Sequence, residues 1–253
     1  GNVNVVRVSG RAGAQTGLLE RVLGAALAEA PAAVRDRVAV IRHARDRAVT
    51  DALSALADIR IVWGGDASVA AIRESRLAPR ATELVFPDRH SVAVMDAAAW
   101  LAAPEAERAG TARRLVNDTL WFGQMACSSP RALFWRGAEA AAEAASATLW
   151  PALDAAAVAA GIDLAPADAV AKLLAEQDLA VAGQGARVRE TPSMRVRAVA
   201  AEAAAAGQRP GAGAGFFLEA RIGALDALAP LVTPRWQTVV SEGIPAADWR
   251  AFL

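Results

Sequence analysis

Asn117-Asp118-Thr119-Leu120-Trp121-Phe122-Gly123-Gln124-Met125-Ala126-Cys127-Ser128-Ser129-Pro130-Arg131-Ala132-Leu133-Phe134-Trp135 is the stretch on which the reading of the chain turns. It holds the only cysteine, set between a helix-like apolar run and a strand-like one. Phe122-Gly123-Gln124 leads in, Ser128-Ser129-Pro130 forces a turn, and Arg131 to Trp135 leads out. A thiol on a turn between two buried elements is how a fold presents a nucleophile at the floor of a cleft. The same thiol is equally at home as inert packing, because free cysteine is among the residue types most often buried. The surrounding chain has to decide between the two.

Working outward, the residues before this stretch alternate between strand and helix. Val3 to Val8 and Val38-Ala39-Val40-Ile41 are short apolar strands, separated by Leu18, Leu19, Val22, Leu23, Ala26 and Leu27 at helical spacing before Pro31. Val49 to Ala57 reads as a second helix and Ile59-Arg60-Ile61-Val62-Trp63 as a third strand. That alternation over some seventy residues predicts parallel βαβ units and an α/β fold. Gly64-Gly65 follows the third strand and precedes a helix predicted from near Ser68. An open α/β sheet binds ligands at this place, where a strand's carboxyl end faces a helix N-terminus. Two glycines without a G-x-G-x-x-G pattern fit a plain tight turn as well. Leu84 to Asp96 reads as a turn around Pro87-Asp88-Arg89 feeding a strand from Ser91 to Met95. His90 in that turn has no second His or Cys nearby, so it carries no metal-site signature. Glu105 to Leu120 forms the helix that delivers the chain to Cys127, with Arg113 and Arg114 on its exposed side.

Beyond Trp135, Ala138 to Ala160 and Pro166 to Leu179 read as helices, the first kinked or split at Pro151. Arg187 to Glu190 and Met194 to Val199 alternate charged and apolar residues as half-exposed strands do. Gly211-Ala212-Gly213-Ala214-Gly215 follows an alanine-rich run and reads as a flexible loop rather than a phosphate cradle. Phe216 to Glu219, Leu228 to Val232 and Trp236 to Ser241 read as further strands, and Ala246 to Leu253 as the start of a helix.

Composition excludes several classes. The 27 basic and 27 acidic residues cancel, so the basic excess of a nucleic-acid footprint is lacking. The 55% hydrophobic content is largely alanine, and no uncharged apolar run reaches the length of a membrane span. A single cysteine precludes an internal disulfide framework and fits a reducing, cytoplasmic setting. At 253 residues the chain has room for one large or two modest domains. It opens on Gly1-Asn2-Val3 already inside a strand and stops abruptly at Ala251-Phe252-Leu253, as a piece of a longer polypeptide would.

Taken in order, these segments resemble the aldehyde dehydrogenase superfamily. Gly1-Asn2-Val3-Asn4-Val5-Val6-Arg7-Val8-Ser9 resembles its G-N-x-V-V-x-K-P-S strand. Trp63-Gly64-Gly65-Asp66 stands at the T-G-S turn beneath the cofactor pyrophosphate, and Val85-Phe86-Pro87-Asp88-Arg89 stands at E-L-G-G-K. Gly123-Gln124-Met125-Ala126-Cys127, with Arg131 beyond, resembles the nucleophile segment G-Q-x-C-x-x-x-x-R, the cysteine falling one residue later. Within the superfamily, W-G-G-D, Q-x-A-C-S-S-P and Arg235-Trp236-Gln237-Thr238 look most like the acyl-CoA and acyl-protein thioester reductases of the bacterial luminescence fatty-acid reductase type.

The resemblance implies a partial Rossmann-like dinucleotide-binding domain over 1–95 and an α/β catalytic cysteine domain over 96–253, each lacking family segments at its outer end. It implies Cys127 as the catalytic nucleophile and Arg7, Ser9, Gly64 and Gly65 as cofactor-binding residues. Arg7 replaces the family's lysine at the adenosine ribose, and arginine suits a 2′-phosphate, which favours NADPH. The substrate would be a long-chain acyl-CoA or an acylated partner protein, reduced to the fatty aldehyde through an S-acyl-cysteine. The oxyanion would be held by the Cys127 backbone N–H, while the family's second donor, an asparagine, comes from a segment upstream of the Gly-Asn strand. Family members pair into homo-oligomers through an extra hairpin that is not located in this sequence. Where hydrolytic members carry a water-activating glutamate, this chain has Val85, and Glu83 falls on the same strand face. Without that base an acyl-cysteine outlives water and is open to reduction. Two other outcomes stay open: oxidation of an aldehyde to an acid, if Glu83 reaches Cys127, and a catalytically incomplete fragment that binds nucleotide or a partner.

Overall fold

The computed structural model describes residues 2–8, 13–162, 166–184, 187–206 and 213–253. The chain divides into two compact units, Gly1–Pro87 and Asp88–Leu253. His90 to Asp96, split by the 95/96 boundary that the resemblance implies, lies wholly in the second unit because it is an interior strand of that unit's sheet.

In the first unit β1 (Asn4–Arg7) pairs in parallel with β2 (Val38–Ile41), with α1 (Ala14–Glu29) and the short α2 (Ala32–Arg35) between them. After α3 (Arg47–Leu56), β3 (Ile59–Trp63) pairs in parallel with β4 (Thr82–Phe86) across α4 (Asp66–Arg73). Asp46 starts α3 by accepting from the backbone N–H groups of Ala48 and Val49, which the open helix end would otherwise leave unpaired. On β3 and β4 the period of two is plain: Arg60, Val62, Glu83 and Val85 turn inward, while Ile59, Ile61, Trp63, Leu84 and Phe86 are exposed. Leu84 to Phe86 is thus a strand of its own, not part of the turn that the Pro87-Asp88-Arg89 cluster predicts.

The second unit is built on a six-stranded sheet in the order β10-β5-β6-β9-β8-β7. Its strands are β5 (His90–Asp96), β6 (Pro130–Arg136), β7 (Arg187–Glu190), β8 (Arg195–Ala198), β9 (Phe216–Ile222) and β10 (Trp236–Glu242). All pairings are parallel except the antiparallel β7–β8 pair. Interior parallel strands are covered on both faces and therefore read as continuous apolar runs rather than alternating ones. Val92-Ala93-Val94-Met95 and Ala132-Leu133-Phe134-Trp135 are such runs, buried throughout. On one face Ala93, Met95, Leu133, Trp135 and Phe217 pack with α6 (Glu105–Thr119) and α7 (Glu139–Ala159). On the other, Val92, Val94, Phe134, Phe216 and Leu218 pack with α9 (Ala201–Ala206), a 3-10 helix at Leu225–Leu231 and α10 (Ala246–Phe252). The remaining helices are α5 (Ala97–Ala102) and α8 (Pro166–Val181).

Two local expectations give way to packing. Leu228 to Val232 is not a strand: Pro230 has no N–H for a ladder, and the segment coils as a 3-10 helix that buries Leu225 and Leu228. Pro151 does not split its helix either, since Leu149, Trp150 and Leu153 are all buried and hold α7 continuous through it.

Candidate functional site

Because β5, β6, β8, β9 and β10 run parallel, the segments entering them all lie at one edge of the sheet. The turn before β5, the 120–129 connection before β6, the 191–194 turn before β8 and the 213–215 turn before β9 therefore share this amino-terminal rim. Cys127 sits in the second of these, past the end of α6, and its side chain is exposed. The thiol is therefore not packed in the core.

The connection is held by backbone and side-chain hydrogen bonds. Gly123 and Gln124 both take left-handed backbone angles, φ 58 and 61, which reverses the chain as it leaves α6. Met125 N–H donates to Phe122 O at 3.0 Å, and Ser129 N–H to Ala126 O at 3.0 Å. The Ser91 hydroxyl at the start of β5 donates to Cys127 O at 2.8 Å. The buried Gln124 carboxamide donates to Pro130 O at 2.9 Å and accepts from Gly215 N–H at 3.0 Å. Gly213-Ala214-Gly215 is a turn, as its composition predicts, but a buried one packed against this connection; Gly211 and Ala212 lie outside the described residues.

Ala126 and Ser128, the chain neighbours of Cys127, line a cavity of about 320 Å³ together with Asn117, Trp121, Phe122 and Val240, among others; Cys127 itself is not part of the lining. Trp121 is pinned by its indole N–H to Asn117 Oδ1 at 2.9 Å, one helical turn back. Trp121, Phe122 and Met125 all remain more than half exposed, an apolar rim on the connection that carries Cys127.

Charge enters from Arg131 and His90. Burial lowers the Arg131 guanidinium from its ordinary value, and the negative charges of Asp88 and of an ionised Cys127 partly restore it. His90 is buried, its Nε2 lying 3.2 Å from Ala205 O and its ring edge-on to Trp236. Burial lowers the His90 imidazole, the contact with Ala205 O opposes that, and Arg131 and Arg235 lower it further.

The residues expected to hold a cofactor belong to the first unit. Arg7 ends β1 with its side chain exposed, and Ser9 lies outside the described residues. Gly64 closes β3 and Gly65 is the N-cap of α4, with no side-chain cap on the first amides. The helix begins at Asp66, earlier than the Ser68 start predicted, which places a carboxylate in its first turn. A Cβ on Gly64 would come within 3.3 Å of Ser68 Cβ, so close helix–strand packing already favours glycine there. Glu83 faces inward, accepting from Arg60 Nη2 at 2.7 Å on one carboxylate oxygen and from Arg73 Nε at 2.7 Å on the other. Arg60 reaches on to Ser54 Oγ and to the carbonyls of Ile72 and Ser75, so Glu83 is committed to the β3–β4 layer beneath α3 and α4.

With this geometry in hand, comparison with known proteins is decisive on one point. The model of the acyl-CoA reductase (LuxC) family matches residues 1–177. The chain belongs to the acyl-CoA reductase family. No curated protein matches it. Among solved structures it is similar to Staphylococcus aureus AldH in a substrate-bound state, with 12% identity, all of this chain and 54% of that one covered, and a TM-score of 0.66. It is also similar to an aldehyde dehydrogenase from Bartonella henselae, at 12% identity over 99% of this chain and 54% of that one, TM-score 0.62. A third is the NADP-dependent glyceraldehyde-3-phosphate dehydrogenase from Bacillus halodurans C-125 complexed with NADP, at 13% identity over 95% and 55%, TM-score 0.61. These likenesses show an aldehyde-dehydrogenase-like fold, and the chain spans about half the length of those structures. In this acyl-CoA reductase family member the segment that carries Cys127 lies inside the matched region, while Gly213–Gly215, which braces that segment, lies beyond it.

Of the residues that the sequence marks as a site, the structure describes Cys127, Arg7, Gly64 and Gly65. Gln124 lies inside the segment that the sequence marks, but nothing in the sequence joins Ser91 or the Gly213–Gly215 turn to the thiol's surroundings. These partners lie 36 and 91 positions away and no spacing rule joins them.

Proposed function

We propose that this chain is the cysteine-bearing part of a reductase that converts a long-chain acyl thioester to the aldehyde, with Cys127 as acyl carrier and NADPH as reductant. The observation that carries the reading is the exposed thiol on a hydrogen-bonded turn whose flanking residues, Ala126 and Ser128, line an aromatic-walled cavity. The Cys127 thiolate attacks the carbonyl carbon of acyl-CoA, or of an acylated partner protein, and the C–S bond to the donor breaks. The donor thiolate leaves with the bonding pair and takes up a proton, and the acyl group rests on Cys127 Sγ. The Cys127 N–H is the candidate donor to the oxyanion. When bound, NADPH supplies the hydride that this carbonyl accepts. Cys127 then departs as the thiolate with the C–S electron pair, and the aldehyde is released.

The first unit suits a dinucleotide in kind. Gly65 heads α4 without a side-chain cap, at the carboxyl end of β3 where a pyrophosphate is ordinarily held, and the exposed Arg7 ends β1. Arg7 is read as the 2′-phosphate contact; the NADP held by the Bacillus halodurans structure supports a nicotinamide cofactor in general. On this reading Gly1–Pro87 is the partial dinucleotide-binding unit and Asp88–Leu253 the catalytic one. Hydrolysis is disfavoured by the state of Glu83. Burial raises its carboxyl, but the hydrogen bonds from Arg73 and Arg60 outweigh that and hold it below the usual carboxylate range. A carboxylate so held is a weak proton acceptor, and both its oxygens are taken.

The test is to incubate the protein with a long-chain acyl-CoA, look by mass spectrometry for an acyl adduct on Cys127, then add NADPH and assay aldehyde. An adduct that discharges to aldehyde, and is lost in Cys127→Ala, is the expected result. Acid formed from aldehyde and NADP⁺ would favour oxidation instead, and neither adduct nor turnover would leave a binding module.

A further inference from the structure

Gln124 is an unusual residue in its setting. Its backbone is left-handed at φ 61, a region that favours glycine, yet it carries a full side chain with 0% exposure. That side chain uses both ends. Nε2 donates to Pro130 O at 2.9 Å, and Oε1 accepts from Gly215 N–H at 3.0 Å. The first bond closes a ring of chain from residue 124 to residue 130, and Cys127 lies at its middle. No other side chain of this length offers a donor and an acceptor: glutamate lacks the donor, and methionine lacks both.

The far side of the ring rests on a fixed stop. Ala214 N–H donates to Gly123 O at 2.8 Å. A Cβ on Gly213 would fall 2.4 Å from Gly123 O and 3.0 Å from Met125 Sδ, so only glycine allows this approach. Gly215, at φ 87, presses equally close to the next turn, where a Cβ would meet Ser193 O at 2.5 Å. That turn is anchored in its own right. Lys172 Nζ donates to Ser193 O at 2.8 Å, and Asp154 Oδ1 accepts from Ser193 N–H at 2.7 Å and from Thr191 Oγ1 at 3.0 Å. The thiol turn is therefore tied to α7 and α8 through Gly215 and Gln124.

We infer that Gln124 is a positioning residue for Cys127, aiming its thiol and backbone N–H at the acyl carbonyl, with Gly213–Gly215 as the stop it works against. The inference rests on Cys127 being the nucleophile. A reacting pair misplaced by about 1 Å loses on the order of a hundredfold in rate, so a ring that fixes the turn has catalytic consequence without touching substrate.

Three variants test it: Gln124→Met, Gln124→Glu and, on the opposite side of the contact, Gly213→Ala. For each, the maximal rate of Cys127 acylation by acyl-CoA and its KM are measured beside the rate of iodoacetamide alkylation of the same thiol and the thermal midpoint. Gln124→Met is expected to slow acylation about 10–100-fold, with KM and alkylation each changed by no more than about threefold. Gln124→Glu, which keeps the acceptor for Gly215 N–H, should recover part of that loss, and Gly213→Ala should reproduce the Gln124→Met pattern. Acylation at the wild-type rate in Gln124→Met overturns the inference. So does a parallel fall of acylation, alkylation and thermal midpoint, which marks a merely structural role. A wild-type protein that never takes an acyl group on Cys127 overturns the nucleophile reading itself, and is told apart because the wild-type control alone reveals it.

Discussion

β3 and β5 are both short, apolar, β-branched strands in parallel pairs, and they end in opposite conditions. Val92, Ala93 and Val94 of β5 are 0–2% exposed, whereas Ile59 and Ile61 of β3 are 60% and 56% exposed. The second unit covers its sheet on both faces with helices, and its apolar runs are buried from end to end. The first unit pairs its described strands two by two, covers one face, and fixes that face partly with ions: Arg60 and Glu83 sit inward beside Val62 and Val85, and the exposed Arg73 of α4 closes on Glu83. The same local pattern thus builds a dense platform in one region and a thinner, partly ionic layer in the other. The site follows that division, with the thiol standing on the platform.

If this contrast is real, mutations should be felt unequally. Phe134→Ala, at a residue with no exposure between two buried strands, should destabilise the second unit by about 3–5 kcal/mol in urea unfolding. Ile61→Ala should cost about 0.5 kcal/mol or less. Equal losses at the two positions would erase the distinction. Amide hydrogen exchange gives the same comparison without mutation. The N–H groups of β5 and β6 should be the slowest, and those of β1 and β3 faster by roughly two orders of magnitude, since lightly buried strands open locally. Trp63, the only tryptophan in the first unit, should be quenched by acrylamide while Trp135 and Trp150 are shielded.

Smaller effects sharpen the ionic side. Glu83→Gln should weaken the first unit by about 1 kcal/mol, because Arg60 and Arg73 would keep an acceptor but lose its charge. Its carboxyl is held low in the folded state, so this contribution is complete above the ordinary carboxylate value and disappears as pH falls through the lower folded value. The Gln variant should therefore lose that part of the acid sensitivity. His90 runs the other way in charge but not in sign. Its imidazole is held below its ordinary 6.5, so the unfolded chain binds a proton first and the second unit loses stability as pH drops below about 6.5. His90→Gln should flatten that slope slightly in thermal melts from pH 7 to 5; an unchanged slope would assign the acid sensitivity elsewhere.

Much of this was legible from residue order. β2 and β3 appear at their predicted bounds, and α3, α6 and α7 appear nearly so, because short β-branched runs and helical spacing are local signals. The failures share a cause. Leu228 to Val232 had strand composition and became a 3-10 helix through Pro230, and Leu84 to Phe86 was absorbed into a turn by the Pro87-Asp88-Arg89 cluster beside it. In each, one strong punctuating residue was weighed wrongly against three or four apolar ones. In the glycine-rich 211–215 segment the described residues 213–215 are irregular as predicted, but the reason for their glycines lies elsewhere. Its composition is that of a loop, but Gly213 and Gly215 are glycines because backbone from residues 123 and 193 comes within reach of where a Cβ would be.

What the sequence determined by itself was the α/β class and the placement of one thiol on a turn between helix and strand. It also marked the Gly64-Gly65 turn after β3, and the membership that these share with acyl-CoA reductases. These depend on neighbours within a few positions, where spacing dictates geometry. Only the tertiary structure decided that Cys127 is exposed, that Gln124 bridges Pro130 and Gly215, and that Glu83 is consumed by Arg60 and Arg73. Those are contacts between segments 6 to 91 residues apart, and which groups meet across such distances is set by sheet order and helix packing, for which no local pattern stands as a code.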